Sequence, residues 1–131
     1  MNSIKVSRIA FAASGIYDLF LGIVFLLFPL FAFDLFNVTH PNHLAYVQFP
    51  ASLLLIFAIM YFNIAKDPVG KISFMPYGIL LKVAYSGIVF WYWLFSEIPD
   101  MWKPFAIIDL LFIVAFGWCY SEIRSLKSSV S

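Results

Sequence analysis

Four stretches of the chain, residues 9–33, 44–65, 74–95 and 104–121, are apolar over a length that constrains the fold more than any other feature of the sequence. A hydrocarbon core about 30 Å thick is crossed by roughly 20 helical residues. A helix is the natural way across, because lipid offers no partner to a backbone N–H or C=O and a helix satisfies both internally. Asp18 is the only charge in the first stretch, Lys82 in the third and Asp109 in the fourth, and the second carries none. The expectation is an all-α, integral membrane four-helix bundle forming a single transmembrane domain over residues 1–131.

Composition agrees. Only 11% of the residues are charged and 63% are hydrophobic, whereas a soluble domain carries roughly 25% charged residues to coat its surface. The few basic residues form no patch interleaved with aromatics, which removes nucleic acid as a partner. Cys119 is the only cysteine, so the chain has no internal disulfide, no CxxC pair and no thiolate cluster; it reads as a small packing residue. Lys5 and Arg8 precede an apolar run in the manner of a signal peptide. That run is longer than the usual h-region of about 7–15 residues and lacks a small-residue cleavage site, so it reads as a retained first span.

The breaks between spans carry turn and capping residues: "THPNH" at 39–43, "KDPVGK" at 66–71 and "SEIPDMWKP" at 96–104. Ser73 is placed to cap the third helix ahead of Pro76, and Pro104 suits the first turn of the fourth. Connections this short make successive helices antiparallel neighbours. Pro29 and Pro50 fall inside the first and second spans, where each removes a backbone donor and predicts a kink. The polar end "SLKSSVS" reads as frayed.

Orientation follows from the basic residues. Lys5, Arg8, Lys66, Lys71, Arg124 and Lys127 fall on one side, and Lys103 alone falls on the other beside Asp34, Glu97 and Asp100. The positive-inside rule then puts both termini in the cytoplasm of a multi-pass inner-membrane protein. Tyr46, Trp91, Trp93 and Trp102 supply an outer aromatic belt, and Tyr61, Tyr77, Trp118 and Tyr120 an inner one.

The intramembrane charges are the candidate site. With a rise of about 1.5 Å per residue, Asp18 lies roughly 14 Å from the cytoplasmic side, the Lys82 Cα roughly 12 Å, and Asp109 roughly 18–20 Å, within reach of a lysine stem. Gly78, Lys82 and Ser86 recur at intervals of four, as do Ser14, Asp18 and Gly22, so small residues flank each charge and admit a neighbouring backbone. Tyr85 is adjacent to the first set, and Gln48 and Ser52 add a polar face on the second span. A charge at the bilayer centre costs at least about 2.5–3.5 kcal/mol, which favours a polar cluster of Lys82, Asp109 and Asp18 with Tyr85, Ser86 and Gln48 around it. Two carboxylates against one lysine leave a formal excess of one negative charge, which a bound proton or cation would neutralise.

His40 and His43 in the outer loop, with Asp34 upstream, are weak candidates for metal ligation. Pro41 stands between them and no fourth ligand is evident, so no metal is assigned. No cofactor motif, nucleophile triad or phosphate-cradling loop is present.

The motifs "LFP" at 27–29, "AKDP" at 65–68, "GILLK" at 78–82 and "IDL" at 108–110 give the chain a resemblance to a loose group of small four-helix bacterial inner-membrane proteins, broadly DoxX-like. The resemblance implies the four-helix fold and the prominence of Lys82 and Asp109, and it brings no activity with it. The functional expectation is a non-enzymatic binding or accessory membrane protein, a homo-oligomer or a subunit of a membrane complex, with the cluster acting as a structural clasp or facing a small ligand or ion. A small proton-coupled or ion-conducting transporter is the first alternative, and a lipid-modifying or redox membrane enzyme the second.

Overall fold

A computed structural model describes residues 2–130, and among these the chain is all-helical. Five α-helices follow one another: α1 (Ser3–Leu27), α2 (Pro29–Leu35), α3 (Ala45–Lys66), α4 (Met75–Phe95) and α5 (Lys103–Val130), with single 3-10 turns at Ile72–Phe74 and Asp100–Trp102 leading into α4 and α5. Four of them, α1, α3, α4 and α5, are long and apolar enough to cross a membrane.

The helix ends depart from the sequence reading in ways that local chemistry explains. The first apolar stretch is two helices rather than one kinked span. Phe28, at φ −130° and ψ 48°, leaves the helical region, as a residue before proline tends to, and Pro29 restarts the chain at the first position of α2. At the other end α1 begins at Ser3, upstream of the apolar run, because the Asn2 side chain accepts from the N–H groups of Ile4 and Lys5. Pro50 breaks nothing: it stands early in α3, where its missing N–H costs only the carbonyl of Tyr46, and the helix runs through it. Ser73 does not cap α4, since the chain enters that helix through a 3-10 turn with no side-chain cap. The C-terminal segment expected to fray continues α5 to Val130, extension of an existing helix being far easier than nucleation.

Around the bundle the helices lie in the order α3, α1, α5, α4. α1 packs along α3 and α4 along α5, α1 and α5 join the two pairs, and α3 meets α4 only sparsely. Glycines on α1 explain the first pairing. A Cβ on Gly15 would come within 2.8 Å of the Phe62 ring, and one on Gly22 within 2.6 Å of Leu55 and 3.0 Å of the Ala51 carbonyl oxygen, so α3 is seated closer to α1 than any larger residue permits.

Two apolar clusters fill the interior. One gathers Phe11, Tyr61, Ile64, Met75, Phe116, Cys119 and Ile123, with the rings of Phe11 and Phe116 stacked 4.1 Å apart. The other gathers Leu21, Phe25, Ala32, Phe33, Ala51 and Met101. Tyr61, expected in an aromatic belt, is fully buried in the first cluster, because its hydroxyl finds a partner inside, donating to the Gly78 carbonyl oxygen at 2.8 Å. Tyr46, Tyr77 and Trp91 remain exposed.

Candidate functional site

Three charged side chains meet in the interior. Lys82 Nζ on α4 lies 3.0 Å from Asp109 Oδ1 on α5 and 3.3 Å from Asp18 Oδ1 on α1. Lys82 is 1% exposed, Asp18 2% and Asp109 9%, so the ammonium has exchanged water for two carboxylates. Two of the three helices supply their charge from a buried stripe of small residues: Ser14, Gly15, Asp18 and Gly22 on α1, Gly78, Lys82 and Ser86 on α4.

Aromatic faces complete the surroundings of the ammonium. The ring centroids of Phe112, Tyr61, Tyr17 and Phe116 lie 4.9, 5.4, 5.6 and 5.9 Å from Lys82 Nζ, within the range of a cation–π attraction that strengthens as water is excluded. The sequence reading places none of these four at the charges, and assigns Tyr61 to an aromatic belt instead. A signal was present for three of them, since Phe112 and Phe116 follow Asp109 at helical spacing on the same face of α5, and Tyr17 is next to Asp18.

The remaining candidates bind elsewhere. Tyr85 donates its hydroxyl to the Trp102 carbonyl oxygen at 2.8 Å and Ser86 donates to that of Ala106 at 3.3 Å, so both tie α4 to the start of α5. Gln48 donates to the Leu26 carbonyl oxygen at 3.2 Å. That oxygen belongs to the last turn of α1, where the break before Pro29 leaves carbonyls without helical donors. Ser52 turns back to the Phe49 carbonyl. In the loop, His40 Nε2 pairs with Asp34 Oδ1 at 2.6 Å, while His43 Nδ1 accepts from the Ala45 N–H at the start of α3. The two histidines thus have separate partners, and among the described residues no three His, Cys, Asp or Glu side chains gather as a metal site.

The charged cluster forms part of the wall of a cavity of about 630 Å³ between α3 and α4. The two helices touch where Tyr61 meets Gly78 and stand apart beyond it. Tyr46 and Pro50 of α3 and Ala84 and Ile88 of α4 line its exposed margin, and Leu21, Phe25, Ala51 and Val89 line it deeper, beside Asp18, Lys82 and Asp109. The lining is apolar apart from these charges, the hydroxyls of Tyr17, Tyr46 and Tyr85 and the indole N–H of Trp102. Such a space accepts a hydrophobic molecule along its walls and a polar group at its floor.

Compared with known proteins, the chain matches no family model, no curated protein and no solved structure.

Proposed function

We propose that the chain is a multi-pass protein of the cell inner membrane, its four long helices crossing as an antiparallel bundle with both termini cytoplasmic, and that it binds a small hydrophobic molecule without transforming it. The observation that carries the binding reading is the cavity of about 630 Å³ between α3 and α4, apolar along its sides and charged at its floor. The length and apolarity of the four helices support the membrane setting, and the one-sided distribution of Lys and Arg supports the orientation. In a bilayer the gap between α3 and α4 faces acyl chains, so a lipophilic molecule reaches it by lateral diffusion. Kinship with DoxX-like proteins is supported by the short motifs around Lys82 and Asp109.

The test is retention of pyrene, a neutral hydrophobic fluorophore, by the protein in nanodiscs, measured against empty nanodiscs. Saturable retention that is abolished by Ala84→Trp, which puts an indole at the exposed margin of the groove, is the expected result. Retention unchanged in that variant, or absent in the parent, overturns the reading.

A second reading, proton-coupled transport, draws support from the excess carboxylate beside Lys82. It requires a proton flux in liposomes that Asp109→Asn removes while the protein stays folded; the same flux in the variant eliminates it.

A further inference from the structure

The chemistry of the floor narrows the class of molecule the groove takes, an inference that rests on the binding reading above. One ammonium faces two carboxylates. Lys82 engages Oδ1 of each, and Asp18 Oδ2, fully buried, has no hydrogen-bond partner among the described residues; neither has the Tyr17 hydroxyl. Both residues line the cavity. A buried oxygen of an ionised carboxylate left without a donor is among the costliest groups a protein interior holds.

Three kinds of ligand head can be weighed against this floor. An anionic head, such as a fatty-acid carboxylate, meets two carboxylates and a lysine whose ammonium is already shared between them; repulsion outweighs attraction. A neutral apolar head leaves Asp18 Oδ2 unsatisfied and the excess negative charge uncompensated. A cationic head compensates the excess negative charge and gives the second carboxylate a partner of opposite sign. The fold also demonstrates the required solvation once already: it holds the Lys82 ammonium with carboxylate oxygens and aromatic faces. On the groove side the same two ingredients recur, since Asp18 and Asp109 line the same cavity as the rings of Phe25, Tyr85, Trp102 and Phe105, and aromatic faces favour an organic cation over a hydrated inorganic one.

We propose that the groove between α3 and α4 is a site for lipophilic organic cations, with the cationic centre against Asp18 and Asp109 and the hydrophobic body along α3 and α4. Lys82 then acts as a counter-charge that keeps two carboxylates together in a dry interior, and leaves the net charge one short of neutral until the ligand arrives.

Tetraphenylphosphonium and tetraphenylborate, near-identical in shape and opposite in charge, test this together with neutral pyrene, each measured by equilibrium dialysis against protein in nanodiscs and corrected for empty nanodiscs. The expected result is that the protein retains the phosphonium at least about tenfold more tightly than the borate, the scale of one favourable charge pair. Asp18→Asn or Asp109→Asn reduces the preference for the phosphonium over the borate by about the same factor. Pyrene retention with no preference for the cation, or a cation preference that survives both substitutions, overturns the cation assignment and leaves the groove reading standing. No retention of any of the three overturns both. The comparison of the two ions uses the unmodified protein, so it decides the question even where a substituted chain fails to fold.

Discussion

Tyr61 and Gly78 make the contact at which α3 and α4 close: the tyrosine hydroxyl donates to the glycine carbonyl oxygen at 2.8 Å, and a Cβ on residue 78 would stand 2.6 Å from the tyrosine Cε1. The missing side chain is what the contact requires of glycine, since it lets the ring come close enough to reach the buried carbonyl oxygen. Beyond this point the two helices separate and the cavity begins.

That geometry predicts an asymmetry between two small substitutions. Gly78→Ala forces a fully buried ring to move and is expected to cost about 1–3 kcal/mol, as overpacking does. Tyr61→Phe removes one hydrogen bond and keeps the ring, at about 0.5–1.5 kcal/mol. Unfolding by SDS titration from mixed micelles measures both, and a larger cost for Tyr61→Phe than for Gly78→Ala would refute the close approach.

The three-charge cluster predicts an order of sensitivity. Lys82→Met leaves two buried carboxylates facing one another and is expected to destabilise by about 3–5 kcal/mol. Asp109→Asn leaves one ammonium with one carboxylate, a balanced pair, and costs less. The double substitution Lys82→Met with Asp109→Leu still strands Asp18, so recovery requires the triple variant Lys82→Met, Asp18→Leu and Asp109→Leu, which is expected to be about as stable as the parent or more so. The same SDS titration ranks the four variants against the parent, and a parent more stable than the triple variant by several kcal/mol would show that the cluster contributes more than mutual compensation.

Gln48 predicts a local effect. Its amide closes the frayed end of α1 by donating to Leu26, so Gln48→Leu is expected to cost about 0.5–1.5 kcal/mol. Amide exchange of α2 should accelerate while that of Lys82 and its neighbours stays as in the parent. Hydrogen exchange followed by mass spectrometry separates the two regions, and faster exchange around Lys82 would return Gln48 to the charged cluster.

What was legible from sequence was set by hydropathy and by the high cost of a buried charge. Lys82 stood out because it is the only charged residue in the apolar run 74–95, and the helical rise was enough to bring Asp18 and Asp109 within reach. The ring cage was not legible. An aromatic residue sits equally well in lipid and in a membrane protein's interior, so hydropathy does not separate the buried Phe116 from the exposed Phe31. The cavity was hidden for a different reason. A short loop predicts that α3 and α4 pack along their length, yet Gly15 and Gly22 draw α3 onto α1 while α4 follows α5. Partner choice among helices is a competition between pairs, and a single span read alone does not reveal its outcome.

Cys119, the one thiol of the chain, is fully buried in the apolar cluster with Phe11 and Phe116. A maleimide in solution therefore reaches it only when the helices around this cluster part, and the rate of alkylation becomes a clock for that opening. The native sequence thus contains its own single-site reporter, and any molecule that binds between the helices and holds them together will slow the clock without touching the sulfur.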